Sequence, residues 1–136
     1  MEVTIVKETK DGKQETTYEL DLGIGFALHL DSKFKFKQKI QEDLDMEFGL
    51  GVQILYGRLA ATSIEAIVDF YNAGLSEQPK RAFSQKELQK AIQAKALELG
   101  GFDKLAEHCI EELKDVGLYP HIFEASEAKM AMLREQ

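Results

Sequence analysis

Tyr18-Glu19-Leu20-Asp21-Leu22-Gly23-Ile24-Gly25-Phe26-Ala27-Leu28-His29-Leu30-Asp31 is the stretch on which the fold turns. Its first five residues alternate in polarity, as a strand with one buried face does. Two glycines follow, then apolar residues spaced for a helix. With no Cβ, Gly23 and Gly25 let the chain turn sharply from strand to helix. Upstream, Val3-Thr4-Ile5-Val6-Lys7-Glu8 alternates as well. Lys10-Asp11-Gly12-Lys13 supplies a tight turn in which Gly12 accepts positive φ. The two alternating runs predict a β-hairpin that feeds directly into a helix.

That first helix is expected from near Gly23 to about Lys33. Phe26, Leu30 and Phe34 fall at i, i+4 and i+8, with Ile24, Ala27 and Leu28 beside them. So broad an apolar face predicts burial against more than one neighbour. Lys33 to Glu47 reads two ways. Phe34 and Phe36 alternate with Lys33, Lys35 and Lys37 at period two, as in a strand. Phe36, Ile40, Leu44 and Phe48 stand four apart, as on a helix. Glu42, Asp43, Asp45 and Glu47 follow the lysines, and a second hairpin would set the two charge signs opposite each other. Strand or loop is the preferred assignment.

Downstream the pattern is helical. Leu50, Ile54, Leu55 and Leu59 mark one helix. Thr62-Ser63-Ile64-Glu65 reads as a capping box opening the next, with Ile64, Ile67, Val68, Tyr71 and Leu75 in 3-4 rhythm. Ser84-Gln85-Lys86-Glu87 is a second box, followed by Leu88, Ala91, Ile92 and Leu99 facing inward. Gly100-Gly101 ends that helix. Phe102, Leu105, Ala106, Cys109, Ile110 and Leu113 form the cleanest stripe in the chain, and Gly117 is a natural stop. The fold class is therefore α+β, mainly α, with an N-terminal β-hairpin packed on about five helices. Residues 1–120 are expected to form one globular domain. Residues 121–136 are expected to form a tail in which Ser126 caps a short helix bearing Met130 and Leu133.

The chain has 136 residues, 44% of them apolar, which suffices for a self-contained core. Seventeen basic against twenty-four acidic side chains leave a net charge of −7, which disfavours nucleic acid and anionic membranes as partners. The first residues show no basic flank and apolar run of a leader, and no apolar run reaches the length of a membrane span. The sequence thus predicts a cytoplasmic protein. A single cysteine, Cys109, excludes an internal disulfide.

Few residues carry chemistry. Gly23-Ile24-Gly25-Phe26-Ala27-Leu28 superficially resembles a dinucleotide-binding loop. Leu28, however, stands where the third glycine belongs, and the preceding strand is part of a hairpin. His108 and Cys109 are neighbours on a helix and point about 100° apart, so they do not converge on a metal. Paired carboxylates such as Glu42/Asp43 and Glu111/Glu112 lie in polar runs and lack the contrast of environments that acid–base catalysis needs. No serine sits in a nucleophile elbow. No enzyme, cofactor or metal is expected. Lys33-Phe34-Lys35-Phe36-Lys37-Gln38-Lys39 reads first as an edge strand guarded by lysines, and second as a docking strip for an acidic protein.

The ordering resembles the tail assembly chaperones of long-tailed, siphovirus-type bacteriophages and prophages of Gram-positive bacteria. The resemblance rests on Tyr18-Glu19-Leu20-Asp21-Leu22-Gly23-Ile24-Gly25-Phe26, Leu30-Asp31-Ser32-Lys33, Glu47-Phe48-Gly49-Leu50-Gly51 and Ala66-Ile67-Val68-Asp69-Phe70-Tyr71-Asn72-Ala73. It spans about residues 15 to 115, and beyond Leu118 the chain carries nothing of that pattern. It implies a non-catalytic protein that binds the tape measure protein, keeps it soluble and helps recruit tail tube subunits. It also implies a frameshifted longer form of the chain as a partner, action in the host bacterial cytoplasm, and absence from the mature virion. A homo-oligomer is left open. The alternatives are a structural tail-completion or connector protein of the virion and a small cofactor-free enzyme. Apolar residues that the helical stripes do not need are the candidate protein-binding set: Phe36, Met46, Phe48, Ile122, Phe123, Met130 and Leu133. The tail either packs back on the domain or serves as a partner-binding arm.

Overall fold

A computed structural model describes residues 1–38, 50–78 and 82–124, and for 35–38 the backbone alone. The described elements are β1 (Glu2–Thr9), β2 (Gly12–Glu19), α1 (Ile24–Gln38), α2 (Leu50–Ala60), α3 (Ile64–Gly74), α4 (Gln85–Leu99) and α5 (Phe102–Asp115). A short helical stretch over 120–124 follows. The architecture is α+β, mainly α, as the pattern predicts.

β1 and β2 pair antiparallel, from Glu2 opposite Glu19 to Thr9 opposite Gly12. The two-residue turn needs Gly12 at φ 121°. Val3 and Ile5 of β1 are buried, whereas β2 is solvated apart from Tyr18. β1 packs on α4, and Tyr18 meets Phe83 edge-on at 5.3 Å. The strand-to-helix junction is pinned from several directions. Leu20 N–H donates to the Met1 carbonyl and Asp21 N–H to the Gly74 carbonyl, each at 2.9 Å. Asp21 Oδ1 accepts from Gly23 N–H at 2.9 Å, which turns the chain into α1.

Phe26, Ala27, Leu30 and Phe34 are buried, and α1 packs against both α2 and α3. The broad face therefore does meet two neighbours. Ile24 and Leu28 do not share in it, being 70% and 52% exposed. α1 also runs to Gln38, so residues 34–38 are helical where a strand or loop was expected. The period-two lysines misled. Lysine is compatible with a helix as well as with a strand, whereas burying Phe26, Leu30 and Phe34 on one side requires a helix. The rest of the ambiguous segment, with its proposed second hairpin, lies outside the described residues.

α3 is enclosed almost all round, with Ala66, Ile67, Phe70, Tyr71, Ala73 and Gly74 buried. Its cap differs by one residue from the expected box. Thr62 takes φ 55°, and Ser63 is the N-cap, accepting from Ala66 N–H at 3.2 Å. Glu65 then falls one position short of a reciprocal partner and approaches Arg58 at 3.8 Å instead. The box at α4 forms in full. Ser84 Oγ accepts from Glu87 N–H at 3.1 Å, and Glu87 Oε1 accepts from Ser84 N–H at 2.8 Å. Gly100 ends the helix in the left-handed region at φ 102°.

α5 buries Leu105, Ala106, Cys109 and Leu113 against α2, α3 and α4. Beyond it, Tyr119 donates its hydroxyl to the Leu22 carbonyl at 2.8 Å and lies 3.1 Å from that of Gly23. The chain after α5 is thereby fastened to the junction that opens α1. Ile122 and Phe123 enter the same core at 3% and 8% exposure. Phe123 meets Tyr56 edge-on at 4.9 Å.

Candidate interaction surface

The polar interior is small. Lys33 on α1 donates to Asp69 Oδ1 on α3, and Asp69 is 2% exposed. Its second oxygen finds no partner among the described residues. The Arg58 guanidinium lies 5.4 Å over the Phe34 ring nearby. These groups tie α1, α2 and α3 together. Burial, assisted by the negative Glu112, pushes the Cys109 thiol up to about 12. Burial and Cys109 raise Tyr71 as well. Both therefore stay protonated at neutral pH, and neither is an activated nucleophile. His108 stands 4.0 Å from Glu112 on its own helix. Among the described residues, no three His, Cys, Asp or Glu side chains are grouped to hold a metal, and no helix is long and apolar enough to cross a membrane.

The structure does not gather the seven residues expected to bind protein. Phe36 lies on the last turn of α1. Ile122 and Phe123 are neighbours, but they sit in the core and present little surface to a partner. Met46, Phe48, Met130 and Leu133 lie outside the described residues.

Two of the grooves that open beside α4 differ sharply in charge. One, of about 430 Å³, runs between β1 and α4 and is studded with charge from Glu8, Lys13, Glu87 and Lys90. The other, of about 350 Å³, lies between α3, α4 and the start of α5 and is lined by Ile64, Val68, Gln89, Ile92, Gln93 and Phe102. Four of those six residues are apolar and none is charged. Ile64 and Val68 stand one turn apart on α3, as Gln89 and Gln93 do on α4. Ile92, at 2% exposure, belongs to the core, while Ile64 is 53% exposed. Just beyond the groove, Asn72 and Gln85 exchange amide hydrogen bonds of 3.0 and 2.9 Å, bridging α3 to α4. One turn past Gln93, Leu97 is 76% exposed and prolongs the uncharged side of α4.

The sequence contained a signal for this surface. Gln85, Gln89, Gln93 and Leu97 recur every four residues in a chain that is 30% charged, which marks an uncharged stripe on α4. Ile64 and Val68 fitted the inward rhythm of α3, and that hid the exposure of Ile64 and the only partial burial of Val68.

Neither a curated protein nor a solved structure matches this chain. A family model does, over residues 12–125, under the description "Phage tail assembly chaperone protein, TAC". The match reaches further than residues 15 to 115 at both ends. It takes in all of β2 and the segment containing Tyr119, Ile122 and Phe123, where no family pattern was legible. The hairpin's second strand, the glycine junction, the helical body and the returning C-terminal segment all lie within the matched residues, and the chain belongs to the phage tail assembly chaperone family.

Proposed function

We propose that this protein binds the tape measure protein of a long-tailed phage, keeps its apolar helices soluble, and yields them to tail tube subunits as the tail grows. The family implies tail proteins as partners, and the tape measure protein is the one whose long apolar faces most need covering. The observation that carries the reading is family membership over most of the chain. A groove with no charge along its lining supports it, because uncharged concave surface on a charged protein suits protein docking. No bond is made or broken in this role. The protein works in the host cytoplasm, in a phage or prophage of a Gram-positive bacterium, and stays out of the finished virion. Tail tube subunits and a frameshifted longer form of the chain are further proposed partners. Phe36, Met46, Phe48, Met130 and Leu133 remain candidate contacts.

Co-expression with the tape measure protein of the same phage tests this. The expected result is a raised soluble yield of that protein and its co-purification with the chaperone. Unchanged solubility with no co-purification overturns the proposal. Mass spectrometry of purified particles separates it from the rival role of a virion component, since stoichiometric presence in mature particles would favour the rival.

A further inference from the structure

We infer that the groove between α3 and α4 seats a single amphipathic client helix whose contacting seam is uncharged. The inference rests on the chaperone reading and adds which surface binds and what chemistry it selects. The groove is walled by two helices and the first turn of a third, and the N–H groups of that first turn receive no side-chain cap. Among the described residues no open strand edge faces it, so an extended peptide gains no ladder from them. An amphipathic helix needs none, because its side-chain ridge inserts between the helices. From Gln89 to Leu97, α4 offers two turns of uncharged surface, about 12 Å of helix axis. That length accommodates client side chains at i, i+4 and i+7.

Charge decides the occupant. The neighbouring groove against β1 carries four ionisable side chains, and none of the described residues lining this one is ionisable. A client seam bearing Asp, Glu, Lys or Arg would lose its hydration here and meet no counter-charge. A seam of Leu, Ile, Val, Met or Ala loses nothing polar. The amides of Gln89 and Gln93 both donate and accept, so they also tolerate Ser, Thr or Gln. A second copy of this chain is the poorer occupant, since two bodies of net charge −7 repel.

The test introduces charge where none stands. Gln89 and Gln93 are exposed, so Q89E/Q93E is expected to melt within a few degrees of the parent by circular dichroism. With the tape measure protein of the same phage as probe, the double variant should co-purify at least about tenfold less, the effect of stranding two charges against an apolar seam. Thr4→Glu, which adds charge in the other groove, should leave co-purification unchanged. Wild-type binding should vary less than about twofold between 50 and 500 mM salt, because no ion pair is screened. If Q89E/Q93E solubilises and retains the tape measure protein as the wild type does, the groove assignment is wrong and the chaperone reading stands. If the wild type itself neither solubilises nor retains it, the chaperone reading fails first. If light scattering finds a wild-type dimer that Q89E/Q93E dissociates, the groove is a self-interface and the inference is overturned.

Discussion

Gly51→Ala tests the crossing of α1 and α2 through one methyl group. A Cβ on Gly51 would stand 2.4 Å from the Leu30 carbonyl carbon, 2.5 Å from Asp31 N and 2.7 Å from the Leu30 oxygen. All three are backbone atoms, so no rotamer change relieves the overlap. Restoring ordinary contact at 3.4 Å requires the helices to part by about 1 Å. α1 resists this because Phe26, Leu30 and Phe34 are buried on the same side. Overpacking of this kind costs about 1–3 kcal/mol. The 2.8 Å hydrogen bond from Gly51 N–H to Asp31 Oδ1 would stretch at the same time, costing about 1 kcal/mol. Alanine returns at most about 1 kcal/mol through helix propensity. The net is a loss of about 1–3 kcal/mol, which for a domain of this size lowers Tm by about 3–15 °C. Gly57 provides the control within the same helix. It is exposed, nothing lies within 4 Å of its added Cβ, and Gly57→Ala should gain about 0.5–1 kcal/mol, raising Tm by about 2–5 °C. Thermal and urea unfolding followed by circular dichroism at 222 nm reads both. A Gly51→Ala protein as stable as its parent, or two variants that shift in the same direction, would refute the close crossing.

Three further outcomes follow from the C-terminal half of the core. Tyr119→Phe removes the donor to the Leu22 carbonyl and should cost about 1 kcal/mol at neutral pH. Burial, with Asp21 and Asp31 adding negative charge, pushes the Tyr119 hydroxyl up to about 12. The fold therefore favours the protonated form, a contribution complete below the unfolded value of about 10 and lost as pH rises towards 12. Urea midpoints of Tyr119→Phe should accordingly fall less steeply than those of the wild type between pH 10 and 12, and parallel slopes would contradict this. Cys109, buried and protonated, should resist a disulfide thiol reagent at pH 8 until the protein unfolds; labelling within seconds of mixing would show that α5 is not packed as described. Phe123→Ala removes a ring held against Tyr56 and lying beneath Lys114 at 5.4 Å and should cost about 3 kcal/mol. A loss below about 1 kcal/mol in urea unfolding would mean that the stretch over 120–124 is not part of the core.

Local chemistry determined much of this protein from the sequence alone. Alternation at residues 3–8 and 16–22, Gly12 in the turn, the Ser84/Glu87 box, the stop at Gly100 and the stripe from Phe102 to Leu113 depend on neighbours at most four residues away, and each is legible without a fold. The family pattern is legible for a related reason: its glycines mark places where backbone must turn or pack closely, as Gly51 does against Leu30. Tertiary structure decided the rest. The helix holds through Phe34 because a common core has to bury Phe26, Leu30 and Phe34 together, and it continues to Gln38 despite the lysine alternation. The cap of α3 moved from Thr62 to Ser63, where the backbone arriving from α2 places the hydroxyl. Ile122 and Phe123 read as spare apolar residues and became core, since Tyr119 reaches back 97 residues to the Leu22 carbonyl. The uncharged groove exists only because α3, α4 and the start of α5 converge there. Periodicity assigns a residue to a face of its own helix, but which face is covered depends on elements distant in the chain.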